Sequence, residues 1–218
     1  MNLALFDFDG TITHADTFVP FIHFSTRKAR VRLGSALLSP LVVGHKLNMV
    51  PAKHVRVGAI LAAFAGRAEA EVLEWGRRYA ETLDRVVRPN ALERLRFHQA
   101  QGDTVVVVSA SLNPYLRPWC ARMGVELICS ELESRGGILT GRHASGDCSG
   151  ETKARRVRER YVLDRFERVY AYGDTLEDVE LLSLAHHPYF CWQELRDVAA
   201  RTVSATAASI IRLRAAGA

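Results

Sequence analysis

The chain has 218 residues, of which 48% are hydrophobic and 24% charged, and its formal net charge is +5. This composition is close to the globular average and excludes a disordered, fibrous or disulfide-scaffold protein. Its four cysteines include no CxxC pair, so we expect reduced thiols rather than a zinc or redox site. The chain begins with an apolar, strand-like run and has no charged leader, which favours a cytoplasmic protein.

Short apolar runs, typical of buried parallel strands, occupy residues 3–6, 104–108, 125–129, 169–172 and 189–192. Helical patterns alternate with the later runs, at residues 91–101, 115–123, 151–161 and 176–185. This alternation predicts an α/β fold with a Rossmann-like, doubly wound parallel sheet. A pair of glycines within residues 133–143 predicts a small hairpin after the third strand.

The first two strands are unusually far apart in the sequence. Roughly ninety residues separate them, whereas a crossover connection usually needs about thirty. The excess predicts an inserted domain, and its helical patterns at residues 18–32, 51–65 and 68–87 indicate a small helical cap. We therefore expect a core domain of residues 1–13 and 86–218, and a cap domain of residues 14–85 inserted after the first strand.

The cap is locally cationic, because residues 17–68 contain eight Lys and Arg residues but no Asp or Glu. Such a segment favours an anionic partner, either a phosphorylated substrate, an acidic membrane surface or nucleic acid. Residues 33–44 are uncharged but too few to span a membrane, and Pro40 is expected to break the helix there. Their apolar side chains either pack the cap, which is the commoner case at helical spacing, or contact a membrane surface.

The first candidate catalytic residues lie where the first strand ends. Residues 3–6 lead into Asp7, and Asp9 follows two residues later, so an extended chain points both carboxylates the same way. Gly10 then allows a sharp turn. An isolated Asp-x-Asp-Gly is often only a turn or a helix cap, so the pattern needs support from elsewhere in the chain.

Three other sites provide that support. Ser109 ends the second strand, where its hydroxyl and the following amides could hold phosphate oxygens, although a serine there is also an ordinary helix cap. Lys153 begins a predicted helix and could neutralise a phosphoryl group, although a surface lysine is the plainer alternative. Asp174 and Asp178 follow the strand at residues 169–172, and several carboxylates together suit Mg²⁺.

In this order, the four sites resemble the motifs of haloacid dehalogenase-like phosphatases. The chain has a DxDGT motif at residues 7–11, a serine at Ser109, a lysine at Lys153 and a GDxxxD motif at residues 173–178. The resemblance covers essentially the whole chain. The cap inserted after the first motif is similar to that of the subfamily that includes phosphoserine phosphatases.

The resemblance implies a phosphatase in which Asp7 attacks phosphorus and Asp9 acts as general acid and base. It implies Mg²⁺ bound by the Asp7 carboxylate, the Asp9 backbone carbonyl and Asp174, with Asp178 as a further or supporting ligand. Phosphoryl oxygens would be bound by Thr11, Ser109, the adjoining Ala110 and Lys153.

The substrate is less sharply defined. Asp16 and Arg56 occupy positions resembling those that contact the amine and carboxylate of the substrate in phosphoserine phosphatases. The run SASLNP at residues 109–114, however, more closely resembles uncharacterised members of the subfamily and its phosphatidylglycerophosphate phosphatases. We therefore expect either a small phosphorylated metabolite or a lipid head-group phosphate.

Two other interpretations are disfavoured. The arginines at positions 155, 156, 158 and 160 cannot all face one ligand from a helix, so nucleic acid is not expected as a partner. The rival from another functional class is a non-catalytic or phosphoacceptor regulatory protein on the same fold. A degenerate enzyme would be expected to lack Asp9, Lys153 or Asp174, and all three are present.

Overall fold

A computed structural model describes residues 1–47 and 49–195 of the chain. Its strands are β1 Leu3–Phe6, β2 Thr104–Leu112, β3 Glu126–Ser130, β4 Leu132–Arg135, β5 Ile138–His143, β6 Val169–Gly173, β7 His187–Phe190 and β8 Gln193–Glu194. Its helices are α1 Phe18–Ser25, α2 Lys28–Lys46, α3 Ala52–Phe64, α4 Glu69–Ala80, α5 Pro89–Ala100, α6 Asn113–Met123, α7 Glu151–Arg160 and α8 Val179–Leu182. Short 3₁₀ turns lie at Leu83–Arg85, Leu163–Arg165 and Leu176–Asp178.

The central sheet has the strand order β3-β2-β1-β6-β7-β8. Strands β1, β2, β3, β6 and β7 are parallel, and only the short edge strand β8 runs antiparallel to its neighbour. The predicted doubly wound parallel sheet is therefore confirmed. Because the strand order reverses beside β1, the crevice at the carboxyl ends of β1, β2 and β6 is where such sheets bind ligands.

Alternate residues of β1 face two helical layers. Ala4 and Phe6 belong to the cluster that contains side chains of α5, α6 and the cap. Leu3 and Leu5 belong to a second cluster, which contains side chains of α7 and α8. All four residues are fully buried, so β1 is covered on both faces. This covering gives the carboxyl end of β1 a fixed position.

The last parallel strand was expected at residues 189–192 but spans residues 187–190. The backbone turns directly after it, because Cys191 and Trp192 have positive φ angles of 50° and 68°. This turn leads into β8, which pairs with β7. The hairpin prediction is confirmed, since β4 and β5 pair antiparallel around Gly136 and Gly137, both of which have positive φ.

The cap helices differ from the sequence prediction in three places. The pattern at residues 18–32 is not one helix, because Thr26 and Arg27 are extended and separate α1 from α2. Pro40 does not end a helix, and α2 continues through it to Lys46. Its ring lies on an exposed part of the helix, so it removes a single backbone hydrogen bond without colliding with the cap. The pattern at residues 68–87 becomes α4 and a 3₁₀ turn.

The chain enters and leaves the inserted segment side by side. Thr13 and Val87 form an antiparallel bridge, and the Arg88 amide donates to the Ile12 carbonyl at 2.9 Å. We therefore propose that the cap is attached to the core at this bridge, close to the boundaries expected from the sequence. Within the described residues, no helix is both long and apolar enough to span a membrane.

Two contacts between the cap and the core involve α4 and the segment before it. Helix α4 crosses α6 so closely that a β-carbon at Gly76 would lie 2.1 Å from the Pro114 carbonyl oxygen. The segment before α4 pairs with β5, where the amide of Gly66 donates to the Leu139 carbonyl and the Leu139 amide donates to the Arg67 carbonyl, both at 2.8 Å. These contacts hold the cap beside the carboxyl ends of the core strands.

Candidate active site

Asp7 lies at the carboxyl end of β1, between the ends of β2 and β6. Its amide donates to the Tyr172 carbonyl at 2.9 Å, which extends the β1–β6 pairing to the first candidate residue. The residue is only 6% exposed. Asp174 directly follows β6, and Ser109 lies within β2 where the apolar run ends. The sheet thus brings three of the predicted residues to one end of the core.

A tight turn at residues 8–12 carries the chain from β1 across this end of the sheet. Gly10 has a φ of 86°, and a β-carbon on it would lie 2.1 Å from the Asp174 Oδ2 atom. A side chain is therefore excluded at position 10 by both backbone geometry and space. The turn also places Thr11, whose hydroxyl donates to Asp174 Oδ1 at 3.0 Å.

Lys153 joins two buried carboxylates. Its Nζ atom lies 2.5 Å from Asp7 Oδ1 and 2.5 Å from Asp178 Oδ1, and the lysine is 2% exposed. Burial by itself lowers the pKa of the ammonium, but attraction by Asp178 and Asp7 outweighs it, so the Lys153 pKa is raised above its ordinary value. The lysine is therefore a fixed cation in this site.

The carboxylates of the site respond differently to their surroundings. Burial raises the pKa of Asp7 well above its ordinary value, and repulsion from Asp178 adds to the effect, while Lys153 opposes it. For Asp178 burial also acts upward, but the charge and hydrogen bond of Lys153 outweigh it and lower the pKa. Burial and Asp178 together raise the pKa of Asp174 to about 6.

Asp178 is held from both sides. Its Oδ2 atom accepts the amides of Asp174 and Thr175 at 3.1 and 3.0 Å, and the Thr175 hydroxyl at 2.9 Å, while Oδ1 faces Lys153. Asp7, Asp174 and Asp178 each have a carboxylate oxygen within 4.8 Å of the other two. Asp178 thus positions its neighbours, and Asp174 keeps more free coordinating capacity.

Asp9 does not bond to these carboxylates, and its hydrogen-bond partners come from the cap and from the end of β2. Its Oδ1 atom accepts the Thr17 amide at 2.7 Å and the Thr17 hydroxyl at 2.6 Å, and its Oδ2 atom accepts the Ser111 hydroxyl. Burial raises the pKa of Asp9 to about 6, although hydrogen bonds from Ser111 and Thr17 oppose the shift. The Thr17 hydroxyl also lies 3.2 Å from the Tyr115 hydroxyl. A carboxyl group with this pKa can both give and accept a proton near neutral pH.

The sequence profile of the haloacid dehalogenase-like hydrolases matches residues 4–183. The chain belongs to this family. Protein CicA of Caulobacter vibrioides (strain NA1000 / CB15N) is 28% identical over 190 residues, which cover 84% of this chain and 82% of that protein. The histidinol-phosphatase of Neisseria meningitidis serogroup C (strain 8013) is 24% identical over 204 residues, which cover 86% of this chain and 88% of that enzyme.

Solved structures share the fold of this haloacid dehalogenase-like chain. A protein with unknown function from Bordetella pertussis Tohama I has a TM-score of 0.71 at 24% identity, over 87% of this chain and 88% of that one. A probable phosphoserine phosphatase from Vibrio cholerae has a TM-score of 0.65 at 15% identity, over 95% of this chain and 66% of that one. The predictions of the family, the fold class and a hydrolase are confirmed by these matches.

Burial differs among three further candidate residues of this haloacid dehalogenase-like site. Ser109 is buried and its Oγ atom accepts the Ser111 amide at 3.0 Å, while Ala110 beside it is half-buried. Asp16 is exposed and accepts the Val19 amide at 3.0 Å, so it caps the start of α1. A substrate-binding role for Asp16 stays a prediction.

Arg56 connects the cap to the core. Its Nε atom donates to Asp147 Oδ2 at 2.7 Å, and its NH2 group donates to both carboxylate oxygens of Glu177 at 3.1 and 3.2 Å. Asp147 is only 7% exposed at its side chain. In this arrangement the guanidinium closes the cap against the core, and its expected contact with a substrate carboxylate stays a prediction.

Two residues of the site were not singled out from the sequence. Ser111 lies two residues after Ser109, and this spacing on a strand places both side chains on one face. Thr17 immediately precedes α1, where a hydroxyl commonly caps a helix, but here its hydroxyl donates to Asp9 instead. The Ser109–Ser111 spacing was the available signal, whereas the role of Thr17 depends on how the cap meets the core.

Proposed function

We propose that this chain is a Mg²⁺-dependent phosphomonoesterase that forms an aspartyl-phosphate intermediate on Asp7. The observation that carries the proposal is the pairing of Asp7 with Lys153 beside a second carboxyl group, Asp9, whose pKa is about 6. Within residues 1–47 and 49–195, the Asp7 Oδ1 atom bonds to Lys153, and no hydrogen bond engages Oδ2. The Oδ2 atom is therefore the one available to attack phosphorus.

The donor set fits Mg²⁺. Three carboxylates share a site in which Lys153 is the one cation that forms ion pairs with them among the described residues, and their oxygens lie within 4.8 Å of one another. Hard carboxylate oxygens in this number suit a hard divalent cation. Asp7, Asp174 and the Asp9 backbone carbonyl would hold the ion, and Asp178 would support them. The bound ion would supply positive charge that offsets repulsion between the phosphate and the carboxylates.

The protein's own groups perform the proton and bond changes. Asp7 Oδ2 attacks phosphorus, the bond to the leaving oxygen breaks, and protonated Asp9 gives its proton to that oxygen. Asp9 then takes a proton from water as the water attacks phosphorus, which releases phosphate and restores the Asp7 carboxylate. Lys153, Thr11, Ser109 and the Ala110 amide would bind the phosphoryl oxygens.

For the substrate, we propose a phosphate monoester of a small metabolite or of a lipid head group. The histidinol-phosphatase among the relatives and the phosphoserine phosphatases among the similar structures support a small phosphorylated molecule. A purely regulatory protein would have no need of Asp9, whose hydrogen bonds and pKa suit proton transfer. The enzyme therefore stands ahead of that alternative.

The first test is phosphate release from phosphoserine, histidinol phosphate, phosphatidylglycerophosphate, sugar phosphates and para-nitrophenyl phosphate, with Mg²⁺ or with a chelator. We expect release that requires Mg²⁺ and falls at least about a thousandfold in Asp7→Asn, because the nucleophile is lost. The exposed Asp164→Asn, which removes a carboxylate distant in sequence from all the motifs, is the matched control and should retain full activity.

Asp9→Asn distinguishes the covalent mechanism from direct attack by water. The variant should accumulate protein-bound phosphate that disappears when Asp7→Asn is added, as measured by intact-protein mass spectrometry. Turnover by Asp7→Asn at the wild-type rate would contradict the proposal. Absence of release from every compound would favour the regulatory alternative.

A further inference from the structure

Helix α2 carries an uncharged row of exposed side chains along its full length. We call this row the outer stripe. Leu33, Leu37 and Leu47 within it are 63%, 71% and 64% exposed. Scattered apolar residues are normal on a protein surface, but residues three or four apart on a helix lie on the same side. The outer stripe consists of Ala29, Leu33, Ala36, Leu37 and Pro40 of α2 and of Leu47, which directly follows the helix, and it is about 27 Å long at 1.5 Å per residue.

The opposite side of α2 packs the cap. A β-carbon at Gly34 would lie 3.0 Å from the Ala62 side chain, and one at Gly58 would lie 2.5 Å from Leu38, so α2 and α3 meet at these residues. Gly34 is the one buried residue of α2, all of whose residues the structure describes. A cavity of about 360 Å³ also remains between α1, α2 and α3. The outer stripe therefore lies on the side of α2 that faces away from these packing contacts.

The sequence left open whether the apolar side chains at residues 33–44 pack the cap or face a membrane. The structure divides them. Leu38, Leu41 and Val42 are half-buried, whereas Leu37 is exposed. Packing accounts for the inner residues and leaves the outer stripe to be explained.

Free cations flank the outer stripe. Lys28, Arg32 and Lys46 are exposed, and none forms a hydrogen bond or ion pair with the residues that the structure describes. Arg30, in contrast, donates to the carbonyls of Ala62 and Ala65 at 2.7 and 2.6 Å and is used within the cap. Residues 17–68 contain no acid that could neutralise these charges. The face thus combines an apolar row with unpaired positive charge.

We propose that α2 lies on an anionic phospholipid surface, with the outer stripe at the boundary between head groups and acyl chains. Lys28, Arg32 and Lys46 have stems long enough to reach lipid phosphates while the stripe stays in contact with the apolar layer. Since no described helix is able to span a membrane, α2 rests on the surface rather than crossing it. The proposal does not depend on the reaction proposed above.

The charge of this face favours an anionic lipid surface over a second copy of the chain and over nucleic acid. A second copy of the chain would bring the same cations face to face without an acid to pair them, which disfavours a dimer through this face. Nucleic acid would suit the cations but presents no apolar layer to cover Leu33 and Leu37. An anionic lipid surface offers both kinds of contact.

The test is co-sedimentation of the full chain with vesicles of phosphatidylcholine alone and with vesicles that also contain phosphatidylglycerol. We expect binding to the anionic vesicles that weakens as salt is raised. The double variant Leu33→Ser, Leu37→Ser should bind at least about tenfold more weakly, because it removes apolar contact area. Lys28→Glu, Arg32→Glu should weaken binding by a similar factor.

Matched controls come from exposed residues of the core. Phe97→Ser, Val162→Ser removes apolar side chains that are 51% and 58% exposed, and Arg158→Glu, Arg165→Glu reverses two exposed cations. Both should bind within about twofold of wild type. Circular dichroism and thermal melting of each variant separate loss of binding from loss of folding.

Three results would overturn the proposal. The first is a wild-type chain that does not bind anionic vesicles. The second is a loss of binding in the core controls equal to that in the α2 variants. The third is a dimer in analytical ultracentrifugation that Leu33→Ser, Leu37→Ser dissociates, which would assign the stripe to a second copy.

Discussion

The charged side chains in the carboxylate site of the core are paired, whereas among the described residues those on the exposed side of α2 in the cap are not. In the site, Asp7, Lys153 and Asp178 are 6%, 2% and 1% exposed, and the lysine forms an ion pair with each of the two carboxylates. In the cap, Lys28 and Arg32 project from an exposed helix without partners among the described residues. The site thus depends on each member being compensated by its neighbours, whereas the cap surface is free to meet something outside the molecule. Equivalent substitutions should therefore have very different effects in the two regions.

The largest difference is expected for lysine. Lys153→Met leaves Asp7 and Asp178 buried without a cation, so the free energy of unfolding should fall by about 3–5 kcal/mol in chelator, and phosphatase activity should be lost. Lys53→Met removes an exposed lysine of α3 and should change stability by less than about 0.5 kcal/mol. Urea unfolding of both variants measures this contrast. Equal stability of the two would show that burial of charge does not distinguish the regions.

A smaller difference is expected for glycine. Gly10→Ala introduces a β-carbon beside Asp174 at a φ of 86°, and should cost about 2–4 kcal/mol and lower activity about a hundredfold by displacing that carboxylate. Gly66→Ala in the cap has a similar φ of 74° but meets no atom within 4 Å, so it should cost only about 1 kcal/mol and leave activity unchanged. Thermal melts and phosphate release separate the two effects. Similar losses in both variants would mean that φ alone, and not crowding at Asp174, sets the cost.

The smallest difference is expected in how much a buried and an exposed histidine contribute to the pH dependence of stability. His98 is buried, and in its neutral form Nδ1–H donates to Asp103 while Nε2 accepts from the Tyr172 hydroxyl. Burial lowers the pKa of His98, and Arg94 lowers it further, although Asp103 opposes the shift. Unfolding therefore takes up a proton, so the stabilising contribution is complete above about pH 6.5 and declines as the pH falls below that value.

His98→Gln should remove this decline between about pH 6.5 and pH 5, a slope of at most about 1.4 kcal/mol per pH unit. His54→Gln, at an exposed position of α3, should leave the slope unchanged. Urea unfolding at a series of pH values makes the comparison. An unchanged slope in His98→Gln would assign the pH dependence to other groups.

Most of the core could be predicted from the sequence because its information is local. Apolar runs mark the parallel strands, and polar residues directly after them reach the same end of the sheet, so Asp7, Ser109 and Asp174 could be grouped before their contacts were known. Lys153 begins a helix and was placed with them by the family resemblance. The last strand was displaced by two residues because the turn at residues 191–192 uses positive φ angles without a glycine to signal it. Local pattern thus located the strands but not each of their ends.

The cap contacts could not be predicted in the same way. Arg56 bonds to Asp147 and Glu177, which are 91 and 121 residues away in the chain, and no periodicity records such a pairing. The sequence predicts that Thr17 caps helix α1. Its hydroxyl instead donates to Asp9, which depends on how the cap domain meets the core. Pro40 was expected to end a helix, but its exposed position allows α2 to continue. These features depend on tertiary contacts rather than on neighbouring residues.

Thr17 has a consequence for the timing of the reaction. It belongs to the start of the cap, yet it donates two hydrogen bonds to Asp9, which belongs to the turn after β1. Any rotation about the Thr13–Val87 bridge that separates the two would change the solvation and the pKa of the proton-transferring group at the moment the cleft opens. Under the proposed function, Asp9 would therefore keep its pKa of about 6 only while the cap holds Thr17 against it.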